Sequence, residues 1–298
     1  MSVKVQNLSK HYGSQKAVDQ ISFEIPNGQV VGFLGPNGAG KSTTMKMITG
    51  FLEPNNGLIE VCGIPVLEQA MLSKQKIGYL PENNPLYYDM YVKEYLAFVA
   101  NVYGVKKIGA RVSEMIEMTG LGREQHKKIQ QLSKGYKQRV GLAQAMIHNP
   151  DVLILDEPTS GLDPNQLEDI RSLIVNLGKE KTVILSTHIM QEVEAMCERV
   201  IILNKGKIAT DNKVEQLKSG NKRTHIVRLK VKGKSAKNLQ LDHVSFKDVQ
   251  GEFIIAHSAS VDKLSEEIFK YCVQNNLTLQ HLAEEQDSLE DVFKQLTK

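Results

Sequence analysis

Val30-Val31-Gly32-Phe33-Leu34-Gly35-Pro36-Asn37-Gly38-Ala39-Gly40-Lys41-Ser42-Thr43 decides the fold of this chain. A short apolar run leads straight into a glycine-rich bend that closes on a lysine and two hydroxyls. A strand apolar along its whole length is buried on both faces, as in a mostly parallel sheet covered by helices. The glycines at 35, 38 and 40 let the backbone fold back, so that successive N–H groups point inward. A helix starting near Lys41 adds its positive end to that field. The stretch from Gly35 through Pro36, Asn37, Gly38, Ala39, Gly40, Lys41 and Ser42 to Thr43 therefore reads as a nucleoside triphosphate cradle. Lys41 reaches toward the β- and γ-phosphates, and the Ser42 hydroxyl is placed to ligate Mg²⁺.

Working outward, a second apolar run, Val152-Leu153-Ile154-Leu155, ends in Asp156-Glu157. A carboxylate at a strand end beside a phosphate loop suits Mg²⁺ held through its water shell. Glu157, one residue on, points elsewhere and is placed to polarise an attacking water. Val183-Ile184-Leu185 and Val200-Ile201-Ile202-Leu203 complete the set of buried strands. Between about 83 and 150 the period becomes helical: Tyr95, Phe98, Val99 and Val102 recur on one stripe, and Val112, Met115, Ile116 and Thr119 on another, with Gly120 and Gly122 as stops. The fold class is thus α/β, a P-loop nucleotide-binding domain over 1–220 with an inserted helical subdomain.

A polar stretch, Lys218-Ser219-Gly220-Asn221, marks a boundary. Beyond it, 221–298 reads as a small α+β domain. Its strands are His225 to Lys230, Phe253-Ile254-Ile255 and Leu277 to Leu282, and Leu264 to Tyr271 is an amphipathic helix. A last helix carries Leu289, Val292, Phe293 and Leu296 in one stripe, capped by Asp287 or Ser288. Met1 to Val5 reads as an edge strand without the apolar core of a signal peptide.

The 298 residues, 41% hydrophobic and 24% charged, have the composition of a soluble globular protein. A formal charge of +3 without any Lys/Arg block argues against a nucleic-acid partner, and the basic stretch from Lys218 to Lys237 reads as solvated surface. No apolar run approaches the roughly 18–20 residues that a membrane-crossing helix needs. Cys62, Cys197 and Cys272, far apart and without metal-ligand spacing, read as free thiols of a reducing cytosol.

Leu132-Ser133-Lys134-Gly135-Tyr136-Lys137-Gln138 resembles the signature of ATP-binding cassette (ABC) ATPases, and the similarity covers nearly all of 3–217. The resemblance implies roles that the residues alone do not. Tyr12 stacks on adenine, and Ser133 and Gly135 hydrogen-bond the γ-phosphate of ATP held by a second copy of the chain. Asp163, in Ser160-Gly161-Leu162-Asp163, lies along the dimer interface, and His188 contacts the γ-phosphate. Glu157, His188 and Lys41 form the catalytic set, with ATP and Mg²⁺ as cofactors. The resemblance also implies a homodimer whose 83–91 segment docks separate transmembrane permease subunits, peripheral on the cytoplasmic face of the inner membrane. The tyrosines of that segment suit either a partner-facing groove or the subdomain's own core.

Two positions depart from the family pattern. Lys134 replaces a usual glycine and is read as pointing to solvent. Glu82, ending Ile77-Gly78-Tyr79-Leu80-Pro81-Glu82, replaces a usual glutamine and joins Ser42 and Asp156 as a metal ligand. The Leu-Pro-Glu variant and the Ser288-to-Phe293 ending resemble a bacterial drug- and polysaccharide-export group. Over the whole length the chain resembles ATP-binding subunits of gliding-motility-associated ABC transporters. The implied function is ATP hydrolysis driving export or gliding-related transport. The alternatives are a soluble ABC ATPase of DNA repair or translation, and a non-hydrolysing regulatory subunit. The chain shows neither the coiled-coil insertion of the repair members nor the second cassette of the translation members.

Overall fold

The computed structural model describes residues 1–218, 225–232, 234–249, 253–258, 263–285 and 289–297. The chain divides into two compact units, Met1–Asn212 and Lys213–Leu296. That division falls before the polar stretch at 218–221, so the short helix Val214–Lys218 belongs with the second unit.

The first unit holds two sheets. One is antiparallel, in the order β2 (Gln15–Ile25), β1 (Val3–Tyr12), β4 (Asn56–Val61), β5 (Ile64–Pro65). The N-terminal strand is not an edge: β1 pairs with β2 on one side and β4 on the other. Alternation in a sequence reveals a strand but not how many neighbours it has. The other sheet has six strands, in the order β10 (Lys207–Lys213), β9 (Arg199–Asn204), β3 (Val30–Leu34), β8 (Thr182–Thr187), β7 (Val152–Asp156), β6 (Ile77–Leu80). The β9-β3-β8-β7-β6 pairings are parallel, and every residue of β3, β7 and β8 is buried.

One face of this sheet shares a core with the antiparallel sheet and with α1 (Lys41–Ile48), through Phe33, Ile154, Ile184, Val5, Ile25, Met45 and Ile48. On its other face, α6 (Pro164–Gly178) buries Ile170 and Ile174, and α7 (Met190–Met196) buries Val193 and Met196. α2 (Ala70–Lys76) runs into β6. The parallel strands therefore point their C-terminal ends, where Leu34, Asp156 and Thr187 lie, toward one edge of the unit. That edge is where ligands gather in open α/β sheets.

The inserted helices are α3 (Val92–Val102), α4 (Ile108–Met118) and α5 (Lys134–Met146). On α4, Val112, Met115 and Ile116 are buried, with Thr119 at the C-cap, and Gly120 then turns left-handed at φ +66. Gly122 plays no part in that stop. On α3 the buried stripe is Val92, Tyr95, Leu96, Val99 and Ala100, whereas Phe98 and Val102 face outward. The helix buries a stripe centred one position away from the one its sequence suggested.

In the second unit the sheet runs β12 (Ser245–Val249), β13 (Phe253–Ser258), β11 (His225–Val231), β14 (Leu279–Glu285), all antiparallel. Helix α9 (Leu264–Gln274) follows α8 (Val214–Lys218) in chain order and packs Leu264, Ile268 and Cys272 onto Val227, Leu229 and Ile254. α10 (Leu289–Thr297) buries Leu289 and Phe293. The cap assigned to Asp287 or Ser288 lies outside the described residues. β12 had no sequence signal because its Ser-Phe-Lys-Asp-Val carries only two apolar side chains. All three cysteines are free thiols.

His148, between α5 and β7, stacks on Tyr103 with ring centroids 3.8 Å apart. Its Nε2–H donates to the Ile77 carbonyl at 3.0 Å, and its Nδ1 is buried without a hydrogen bond. Burial pulls its pKa down to about 4, against the Ile77 contact, with Arg111 and Lys181 adding repulsion. The folded value lies below the unfolded 6.5, so on acidification the unfolded chain takes up this proton first. Stability from this site is complete above about pH 6.5 and drains away toward pH 4. Comparing Tm from pH 7.5 to 4.5, the wild type should lose more stability than His148→Phe, which keeps a stacked ring but cannot titrate. Parallel curves would contradict the assignment.

Candidate functional site

The loop between β3 and α1 is shaped by glycines. Gly38 and Gly40 take φ +79 and +105, and a Cβ on Gly40 would collide with the Ala17 carbonyl. Gly40 is the N-cap of α1 and offers no side chain, so the first helical N–H groups are left to whatever sits in the loop. Lys41 is 7% exposed, and its Nζ donates to the carbonyls of Gly35 at 2.6 Å and Pro36 at 3.2 Å. Burial lowers its pKa, while Glu157, Asp156 and Glu82 pull the other way. An ammonium in a glycine-shaped loop at a helix N-terminus is suited to a polyphosphate.

β7 delivers Asp156 to the same edge. It is 3% exposed, and its Oδ1 makes no hydrogen bond. A buried carboxylate oxygen without a donor is costly, and a cation satisfies it. Asp156, Ser42 and Glu82 line one cavity of about 540 Å³. A hydroxyl with two carboxylates is a hard-oxygen donor set that fits Mg²⁺.

Glu157 follows at φ +50, a left-handed conformation that is strained for a residue with a Cβ. Its N–H donates to the Ser186 carbonyl at 2.9 Å, tying it to the end of β8. Its Oε1 lies 2.8 Å from Nδ1 of His188, the residue that follows β8. Glu157 is nearly buried while the His188 side chain is half exposed, so the pair presents one oxygen and one ring to an opening. That opening is a second cavity of about 520 Å³, lined by Tyr12, the loop residues 37, 38 and 40–43, Glu82, Glu157 and His188. Tyr12 ends β1 with its ring half exposed, and Lys10 Nζ lies 5.7 Å from the ring centroid.

Within one chain, therefore, Tyr12, Lys41, Ser42, Glu82, Asp156, Glu157 and His188 converge. Ser133, Gly135 and Asp163 line neither cavity. Ser133 caps α5, accepting from Tyr136 N–H at 3.4 Å, and Asp163 caps α6, accepting from Gln166 N–H at 3.0 Å. The Gln166 side chain stands where a Cβ on Gly135 would be. Lys134 is exposed but does not simply extend into solvent: its stem lies across Gly161, with Cε and Cδ 3.0 and 3.1 Å from where a Cβ would sit.

Sequence reasoning missed Gln15, Ala17 and Ser160, which also line the nucleotide-sized cavity. For Gln15 there was a signal: Gly13 turns at φ +59, and the resulting hairpin pairs Tyr12 with Gln15. Of the 83–91 segment, Leu86 is buried, and Tyr87 packs its ring on Tyr95 and Phe98 with centroids 5.8 and 5.7 Å apart. Tyr88 and Tyr91 remain about half exposed.

Comparison with known proteins agrees with this geometry. A family model described as ABC transporter matches residues 18–160. The bacitracin transport ATP-binding protein of Bacillus licheniformis is 35% identical, over 99% of this chain and 96% of that protein. A Nod factor export ATP-binding protein I of Burkholderia orbicola is 38% identical, over 69% of this chain and 68% of that one. Among solved structures, a dimeric ATP-binding cassette in a post-hydrolysis state with ADP and Pi superposes with a TM-score of 0.65. It is 28% identical and aligns over 71% of this chain and 98% of that one.

The loop geometry makes Gly40→Ala a sharp test. The left-handed φ and the Ala17 carbonyl both oppose a methyl group, so the cradle must open. Affinity for a fluorescent ATP analogue, measured by titration, should fall about tenfold or more, while far-UV circular dichroism stays unchanged. Wild-type affinity would show that the cradle does not depend on this turn.

Proposed function

This chain belongs to the ABC transporter family of ATP-hydrolysing subunits, and from that premise we propose that two copies sandwich two ATP molecules to drive separate membrane chains. The convergence of Lys41, Asp156, Glu157 and His188 at the ends of three buried strands is the observation that carries this reading. Tyr12 offers a half-exposed ring to the adenine. The N–H groups of 40–43 at the start of α1 and Lys41 hold the phosphates. Ser42, Asp156 and Glu82 would hold Mg²⁺, which supplies neutralising charge on the β- and γ-phosphate oxygens.

Glu157 orients and polarises the attacking water, and its short contact with His188 keeps the carboxylate aimed into the cavity. As the γ-phosphoryl group leaves, Lys41 and His188 stabilise the charge that spreads over its oxygens. Ser133 and Gly135 line neither cavity of their own chain, which supports their completing the site of the second copy. Asp163, capping α6 beside that surface, lies along the interface between copies.

We place the chain peripherally on the cytoplasmic face of the inner membrane. No helix among the described residues is long and apolar enough to cross a membrane, and on this reading the permease is a separate polypeptide. The cavity that holds Asp156 and Glu82 extends past Pro85 to the exposed rings of Phe51 and Tyr103. A partner helix seated there would touch the segment that carries Glu82, and so feel the state of the nucleotide. Relatives named for bacitracin transport and Nod factor export support outward transport. The gliding-related reading rests on the whole-length resemblance noted in the sequence.

Glu157→Gln should retain ATP affinity while hydrolysis falls about 10²–10⁴-fold, the usual contribution of a positioned general base. In gel filtration with Mg-ATP this variant should elute as a dimer that disperses when ATP is removed. A monomer that still hydrolyses ATP would contradict both the role of Glu157 and the sandwich.

A further inference from the structure

Glu192, in the first turn of α7, is a carboxylate with 0% exposure that the reaction as described does not use. A buried carboxylate is expensive to keep unless it is well satisfied. Among the described residues no lysine, arginine or histidine pairs with it; its two oxygens are taken by hydroxyls instead. Oε1 accepts from Thr159 Oγ1, and Oε2 accepts from Thr187 Oγ1 at 2.7 Å. Both threonines are themselves buried, at 3% and 0% exposure.

The two threonines sit in different segments. Thr159 is two residues beyond Glu157, at the start of the loop that runs through Gly161 to Asp163. Thr187 is the last residue of β8 and immediately precedes His188. Thr187 Oγ1 also accepts from Ile189 N–H at 3.1 Å, which fixes the backbone on the far side of His188. Its single proton cannot serve both carboxylates near it. Glu192 Oε2 at 2.7 Å outcompetes Glu157 Oε2 at 3.5 Å, so the Thr187 hydroxyl is committed to Glu192. Glu157 Oε2 is thereby left without a committed donor from Thr187.

We propose that Glu192 is a positioning residue that, through Thr159 and Thr187, binds the interface loop after Glu157 to the segment carrying His188, so that the two move as one piece. Dimer closure acts on the loop at 160–163, and the γ-phosphate is sensed at His188. A carboxylate bonded to both, buried away from water, makes a displacement of either one felt by the other. This rests on the ATPase reading above, but it concerns coupling within the chain rather than the presence of hydrolysis.

The test uses the full chain and steady-state ATPase kinetics, with nucleotide affinity and Tm measured alongside. Glu192→Ala should lower kcat about tenfold or more while KM for ATP stays within about twofold, as expected when positioning rather than binding is lost. Glu192→Gln can still accept from one threonine and donate to the other, and should recover most of kcat. Thr159→Val should lower kcat in the same way, and adding it to Glu192→Ala should cost nothing further, since both break one linkage. Wild-type kcat in a folded Glu192→Ala, or losses that multiply in the double variant, would overturn the proposal. If Glu192→Ala does not fold, Thr159→Val decides alone: a fall in kcat at constant KM supports the linkage, and an unchanged kcat rejects it. Absence of hydrolysis in the wild type would count against the ATPase reading instead.

Discussion

The Lys41 ammonium, gripped by the Gly35 and Pro36 carbonyls and faced by Asp156, Glu157 and Glu82, is the contact on which the rest of the site depends. A buried cation needs compensation, and here three carboxylates and two carbonyls supply it from separate elements. Without the lysine, the nearly buried Asp156 and Glu157 would both lose its charge. On the proposed reading, polyphosphate oxygens would take over the lysine, and the acidic pair would then call for a cation. The orphaned Asp156 Oδ1 marks where that demand falls.

The scaffold explains why these groups can be held so close. β3, β7 and β8 are adjacent, parallel and fully buried, so their ends stay in register within the rigidity of a packed sheet. Each contributes one chemical element: the loop after Leu34, the carboxylates at 156 and 157, and the hydroxyl and imidazole at 187 and 188. The Glu157 N–H bond to Ser186 fixes the strained left-handed backbone between two of them. Strain of this kind survives only when its surroundings over-determine it, and the buried strand ends do so here.

How much of this could be read beforehand depended on whether the cause was local. The phosphate loop was legible because its glycines answer to backbone geometry within a few residues, and Gly38 and Gly40 do take positive φ. The apolar strands were legible because burial on both faces leaves no polar alternation. Pairing partners were not legible, which is why the first strand, interior to its sheet, looked like an edge. The stripe on α3 shifted because Phe98 and Val102 are apolar yet exposed, and hydrophobicity alone does not report which neighbour covers a face. Glu192, a polar residue in an ordinary helical turn, is legible only once Thr159 and Thr187 have been brought beside it from 33 and 5 residues away. The stem of Lys134 across Gly161 is likewise a product of folding, not of its own segment.

The central claim is that each ATP site is built from two chains, Lys41 from one and Ser133 with Gly135 from the other. Mixing two individually inactive variants tests it most directly. A Lys41→Ala chain keeps an intact 132–138 segment, and a Ser133→Arg chain keeps an intact cradle, so a mixed dimer contains one complete site. The account predicts that ATPase activity, absent from either variant alone, appears on mixing and approaches about a quarter of the wild-type rate for random pairing in a twofold dimer. A mixture as inactive as its components, though mixed dimers form, would contradict it.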